Sequence, residues 1–211
     1  MIIKSFTVNP FQENTYVVSV DSGETMVIDP GFYSPSEENA FLRYLDENGL
    51  TVKILVNTHL HIDHVLGNAF IEQRFGIKAF AHDGDGFWLN GLEAQGRMFG
   101  LPLRGEKPSI GLYLREGDKV SLGTEVFEVF EVPGHSPGSI VLYNRLQNCL
   151  FAGDVLFAGS VGRSDLAGGD YAVLIKGISD KLLTLPDDTV VYSGHGPSTT
   201  IGREKSSNPF L

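Results

Sequence analysis

Thr58-His59-Leu60-His61-Ile62-Asp63-His64 places four metal-binding side chains within six residues. The preceding Val52-Lys53-Ile54-Leu55-Val56-Asn57 is β-branched and apolar and predicts a buried strand, while Val65 to Phe75 has helical spacing. The cluster is therefore expected on a strand-to-helix turn, where the side chains point one way. A solvated polar loop accounts poorly for it, since three of only six histidines in the chain fall here.

The same local pattern recurs downstream: an apolar β run, a small turn residue, then a metal-binding side chain. Val126 to Val132 and Pro133-Gly134 lead to His135; Cys149-Leu150-Phe151-Ala152-Gly153 leads to Asp154; Val190-Val191-Tyr192-Ser193-Gly194 leads to His195. Ligands gathered at strand ends imply strands converging on one sheet edge, where loops build a site. Seven such residues suit two metals, and Gly134, Gly153 and Gly194 let the backbone turn sharply and approach the ions.

With 211 residues and 42% hydrophobic content, the chain is long enough for one domain, 1–211, with a large core. Its net charge of −10 argues against nucleic acid as a partner, because phosphate binding needs a basic surface. No apolar run is long enough for a membrane span, and Met1 to Phe6 lacks the charged start of a signal peptide. A cytoplasmic location is expected. The single Cys149 reads as a small buried hydrophobe between apolar neighbours rather than a nucleophile.

Strands are expected at Ile3 to Val8, Thr15 to Val20 and Thr25 to Ile28, with a hairpin turn at Asp21-Ser22-Gly23-Glu24. Ser34-Pro35-Ser36-Glu37 predicts a helix start and Asn48-Gly49 its stop. Ala172 to Leu183 forms another amphipathic stretch, ended by Pro186. Strand-rich and helix-bearing segments alternate in two halves, which predicts an α/β fold of two face-to-face sheets with helices outside and the metal site shared between halves.

His59-x-His61-x-Asp63-His64 with His135, Asp154 and His195 resembles the full ligand set of the metallo-β-lactamase superfamily, whose fold is an αββα sandwich of two mixed sheets. The resemblance implies that His59, His61 and His135 hold one metal, that Asp63, His64 and His195 hold the second, and that Asp154 bridges both. Asp154 resembles the bridging carboxylate of the hydrolases rather than the cysteine of many true β-lactamases, which disfavours antibiotic hydrolysis. Gly162-Arg163-Ser164-Asp165, Gly194-His195-Gly196-Pro197 and the ending Gly202 to Phe210 resemble short, single-domain relatives of glyoxalase II. Full-length glyoxalase II adds a helical domain that holds glutathione and usually carries Glu and Tyr after the last ligand histidine. This chain has Gly196 and Pro197 there and stops 16 residues after His195. Persulfide dioxygenases share the ligand set but use one iron.

Imidazole and carboxylate without thiolate suit Zn(II), the first expectation, and also Fe(II) or Mn(II). Water held between two divalent ions loses a proton near neutral pH while an ion polarises the substrate carbonyl. With Asp63 and Asp154 catalytic through the metals, the resemblance implies hydrolysis of S-lactoylglutathione or a related small-molecule thioester; an ester or lactone hydrolase and the mononuclear-iron dioxygenase are the alternatives. Asp29, ending a strand, fits an outer aspartate that fixes a ligand imidazole, or an Asx-turn before Pro30. Arg163 could clamp a substrate carboxylate, or pair with Asp165 to shape its loop. His82 reads as a surface or capping residue. Phe87, Trp88, Leu92 and Met98 predict a helix that overhangs the site or packs on the core. Arg203 and Lys205 could reach an anionic carrier, or simply solvate the terminal segment.

Overall fold

The computed structural model describes residues 1–104 and 107–211. Strands β1 (Ile2–Val8), β2 (Glu13–Ser19) and β3 (Glu24–Ile28) lead through helix α1 (Pro35–Asn48) to β4 (Thr51–Val56). The ligand-rich run follows, with the short α2 (Ile62–Val65), then α3 (Asn68–Phe75), β5 (Ala79–Ala81), a 3-10 turn at Asp83–Asp85, α4 (Gly86–Asn90), α5 (Leu92–Phe99) and β6 (Ile110–Tyr113). The second half holds β7 (Lys119–Leu122), β8 (Glu125–Glu131), β9 (Ile140–Asn144), β10 (Cys149–Gly153), β11 (Leu156–Phe157), β12 (Ser160–Val161), α6 (Tyr171–Gly177), a π turn (Ile178–Leu182), β13 (Val190–Ser193), β14 (Thr199–Thr200) and α7 (Ile201–Ser207).

Among the described residues two six-stranded sheets form, in the orders β1-β2-β3-β4-β5-β6 and β14-β13-β10-β9-β8-β7, with β11-β12 a separate hairpin. Both are mixed: β3, β4, β5 and β6 pair parallel, as do β10 and β13, and the other neighbours pair antiparallel. Side-chain alternation explains the layers. Tyr16, Val18, Met26 and Ile28 from one sheet meet Phe127, Val129, Leu142 and Phe151 from the other in the central core. The alternate residues Val17, Val27 and Leu55 face outward against Phe41, Leu45 and Ile71 of α1 and α3. Val141, Leu150 and Val191 face Leu174, Ile178, Leu182 and Ile201 on the opposite side. Strands covered on both faces are mostly apolar, as in β9 and β10, and the result is the expected αββα sandwich.

Helix α1 starts and stops where its sequence dictates. Ser34 and Glu37 form a reciprocal capping box, and Gly49 ends the helix in the left-handed region at φ 63°. Two helical expectations need correction. The periodicity over Val65 to Phe75 breaks at Leu66-Gly67, where Gly67 N–H donates to Pro30 O at 2.7 Å and a Cβ would lie 3.0 Å from the Phe32 ring, leaving α2 and α3 separate. The stretch from Ala172 widens into the π turn at Ile178 and ends at Leu182, short of Pro186, so that Ile178 and Leu182 both stay buried against the second sheet. Among the described residues no helix is long and apolar enough to cross a membrane. Cys149 is buried in the central core, and burial pushes its thiol up to about 12.

Candidate metal centre

The candidate side chains arrive at one edge of the sandwich. Asp29 follows β3 and takes φ 49°, while its N–H donates to Val56 O. The His59–His64 run follows β4 and is folded back by Asn57, whose Nδ2 donates to His64 O at 2.9 Å. His135, Asp154 and His195 follow β8, β10 and β13. Gly194 is required by close approach: a Cβ there would lie 2.3 Å from Asp154 Oδ1 and 2.7 Å from His64 Cε1. At Gly153, φ is +49° and a Cβ would strike Thr58 Oγ1.

Two sets of three ligand-type atoms each fall within 4.8 Å of one another, His59-His61-His135 and Asp63-His64-His195. Asp154 lies between them: its Oδ1 is 3.4 Å from His64 Nε2, and its Oδ2 is 3.6 Å from both His135 Nε2 and His195 Nε2. A third set, Asp29-His59-His64, is equally close, but the Asp29 carboxylate is already occupied. Thr58 N–H and Oγ1–H donate to it at 2.7 and 2.6 Å, and His64 Nδ1–H at 3.1 Å. Asp29 therefore orients His64 from outside the cluster.

The hydrogen bonds fix which imidazole nitrogens face inward. His135 Nδ1 donates to Arg163 O at 2.8 Å and His195 Nδ1 to Phe11 O at 3.1 Å; His59 Nδ1 is 3.1 Å from Thr58 Oγ1, whose own proton goes to Asp29. What remains is a knot of lone pairs. His135 Nε2 lies 2.9 Å from His61 Nδ1 and 3.3 Å from His59 Nε2. His64 Nε2 and Asp154 Oδ1 are buried with no hydrogen-bond partner. Burial and neighbouring imidazoles hold His59 well below its ordinary value and bring His61 down to about 3, so both are neutral donors of electron pairs. Burial opposes charge on His64, yet Asp63 and Asp154 overcome it and raise its value well above the ordinary one. Burial likewise opposes ionisation of Asp63 and Asp154, and His64 overcomes it and lowers both. Unpartnered donors, converging lone pairs and excess carboxylate fit divalent cations.

Over this cluster lies a cavity of about 400 Å³, lined by Phe11, Ile62, Trp88, Met98 and Phe99 together with the inward ligand side chains. A larger hollow of about 560 Å³ around Glu116, Tyr143 and Lys181 sits elsewhere and contains none of the ligand-type sets found among the described residues. Trp88 and Met98 thus line the site, whereas Leu92 is core and the Phe87 ring lies tilted beside Trp88 at 4.9 Å. Arg163 Nε and Nη2 donate to both oxygens of Asp165 at 2.7 Å, on the exposed loop. His82 Nδ1 accepts Gly84 N–H at 2.9 Å and Nε2 contacts Glu131 at 3.0 Å, a capping role. Arg203 and Lys205 lie on α7 and do not line the cavity; Lys205 Nζ donates to Asp187 at 2.6 Å.

The profile of the metallo-beta-lactamase superfamily matches residues 8–195. The chain belongs to that superfamily. The hydroxyacylglutathione hydrolase GloC of Haemophilus influenzae is 38% identical over 212 residues, covering 100% of this chain and 98% of the relative. Among solved structures, the BLEG-1 B3 metallo-beta-lactamase has TM-score 0.90 and 39% identity, covering 100% of this chain and 99% of its own. TTHA1623 in a di-iron-bound form has TM-score 0.87 and 37% identity, covering 99% and 100%. Membership in this metallo-hydrolase superfamily and the His-rich candidate metal site support an enzyme.

Two buried carboxylates escape a reading of the sequence. Glu13, at the start of β2, is fully buried with Oε1 3.9 Å from His64 Nδ1, and burial raises its carboxyl well above the ordinary range. Asp85 Oδ2 accepts Leu60 N–H at 3.0 Å and Ser136 Oγ–H at 2.7 Å, and Oδ1 accepts Gly138 N–H at 2.7 Å. One side chain thus ties the His59–His64 run to the His135 loop. The available signal was a polar Glu-Asn-Thr start to an otherwise apolar strand, and an aspartate directly before a helix; neither spacing points to a site.

Proposed function

We propose that this chain is a dinuclear metal-dependent hydrolase of thioesters, with S-lactoylglutathione the first substrate to test. The observation that carries the reading is the pair of three-ligand sets with Asp154 between them, supported by the GloC relative that aligns over the whole chain. His59, His61 and His135 would hold one ion, Asp63, His64 and His195 the other, and Asp154 would touch both. The ions supply Lewis acidity and a nucleophile at neutral pH when bound. Zn(II) suits the donors, and the di-iron neighbour makes iron the second choice.

The protein's own part is to hold and orient. Asp29 keeps the His64 Nδ1 proton and so turns Nε2 inward; Arg163 O and Phe11 O do the same for His135 and His195. Among the described residues no Ser or Cys side chain lines the cavity, so neither supplies a covalent nucleophile there. Trp88, Ile62 and Phe11 present apolar surface beside the ligand side chains, which would limit water around the reacting carbonyl.

Elemental analysis of protein purified without added metal, run beside thiol release from S-lactoylglutathione under argon, tests this directly. The expected result is about two ions per chain, the stoichiometry of paired metal sites, and thiol release without oxygen. One iron per chain with oxygen uptake on a persulfide would replace the reading with a dioxygenase. The neighbour named as a B3 metallo-beta-lactamase favours a second reading, β-lactam cleavage. A chromogenic cephalosporin is expected to turn over more slowly than thioesters, and the reverse order would promote that reading.

A further inference from the structure

The wall of the cavity is unlike its floor. Phe99 contacts Phe11 edge to face at 5.2 Å, Trp88 stands edge-on to His61 at 4.7 Å, and Gln95 Nε2 donates to Trp88 O at 3.0 Å, tying α5 to α4. Met98 and Phe99 are nevertheless 79% and 50% exposed at the mouth. Large apolar side chains left wet beside a site mark a surface that a ligand covers. Charge complements this: Arg163 is the only Lys or Arg lining the cavity among the described residues, and its Nε and Nη2 both donate to Asp165, which offsets its charge. The chain as a whole carries net −10. Beyond Arg163, no lysine or arginine of the cavity lining among the described residues faces the two carboxylates of glutathione.

We infer that this cavity takes an uncharged thioester through an apolar arm, aliphatic or aryl, seated against Phe11, Trp88, Met98 and Phe99, and that glutathione contributes little to recognition. The inference rests on the hydrolase reading for its chemistry, but its binding half stands alone. Each methylene of the arm moves from water onto apolar wall, which corresponds to about fourfold in affinity per buried CH₂, the fold-change for ~0.8 kcal/mol. The gain continues until the arm fills the cavity.

Trp88, the one tryptophan in the chain, reports filling of the cavity by its fluorescence. The metal-loaded full chain is titrated with straight-chain methyl ketones from 2-butanone to 2-nonanone, which carry the carbonyl and the arm but cannot be hydrolysed, and with S-methylglutathione. The expected result is a dissociation constant falling about fourfold per methylene over the first several carbons, with S-methylglutathione weaker than 2-heptanone. Met98→Gln and Phe99→Ser, at exposed positions, should flatten that slope. A dissociation constant independent of arm length, or tighter binding of S-methylglutathione than of any ketone, overturns the inference. Thiol release from N-acetylcysteamine thioesters, acetyl to octanoyl, then separates it from the hydrolase reading. Length-dependent ketone binding without any thiol release sinks the thioesterase and keeps the apolar arm. Thiol release with flat ketone binding does the opposite.

Discussion

The first half of the sandwich brings Asp29, His59, His61, Asp63 and His64 from the ends of two neighbouring parallel strands, β3 and β4. The second half brings His135, Asp154 and His195 singly, from β8, β10 and β13. In the first half a local contact, Asn57 to His64, folds the run back, and Asp29 and Asp85 add longer-range ties to His64 and Leu60. In the second, both ligand histidines are held by distant segments. His195 leans on Phe11, Asn14 N–H donates to Gly194 O at 2.7 Å, and Ile140 N–H donates to Thr58 O at 2.8 Å. A local cluster therefore makes half a centre, and the other half exists only when the two sheets are packed.

Asp154 alone faces both sets, so its loss is expected to have the largest effect. Asp154→Ala should bring metal content from about two ions to below one and abolish turnover, because affinity leans on ligand charge. Retention of two ions and near-normal turnover, by elemental analysis and kinetics, would break the comparison. Asp63→Asn tests the first half by itself. It should remove one ion and leave His59, His61 and His135 loaded; an unchanged single iron would favour the dioxygenase instead. Asp85→Asn tests the seam between halves, since it turns an N–H₂ toward donors on Leu60, Ser136 or Gly138. Metal affinity, measured against a competing chelator, should fall about 10- to 100-fold, as for other outer groups that orient ligands.

Two carboxylates at helices refine the comparison at smaller scale. In the second half Glu204 is fully buried and accepts from Gly159 N, Asn208 Nδ2 and Thr199 Oγ1, tying the β11–β12 connection to α7. Glu204→Ala strands these donors and should cost roughly 2–4 kcal/mol, seen as a fall in Tm of about 5–15 °C. In the first half Glu37 accepts from Asn9, Tyr33 and Ser34 N–H at 2.7–2.8 Å but is partly exposed. Burial opposes its ionisation, and the backbone donors outweigh that, so its native value lies below the ordinary 4.5. The stability it contributes is thus present above that ordinary value and lost as pH falls through the lowered one. Glu37→Gln should cost under about 1 kcal/mol at pH 7, given solvent screening, and the gap in Tm from the parent should close in acid. A gap that widens in acid would reverse the sign.

The sequence by itself determined what depends on neighbours along the chain. The strand before each ligand follows from β-branched runs and the capping box from Ser34 and Glu37. The metal-binding character of His59 to His64 follows from donor type and spacing, and the sandwich from the alternation of strand-rich and helical segments. Packing decided the rest. Leu66-Gly67 separates α2 from α3 where Gly67 N–H meets Pro30 O, and Ile178 and Leu182 of the π turn lie against the second sheet. Glu13 and Asp85 become interior carboxylates only when loops from opposite halves close over them. Which apolar residues line a cavity, and that Arg163 is already paired, are equally matters of contact. The physical reason is one of range: periodicity and turn chemistry act within a few residues, whereas burial and hydrogen-bond partnership are set by segments far apart in the chain.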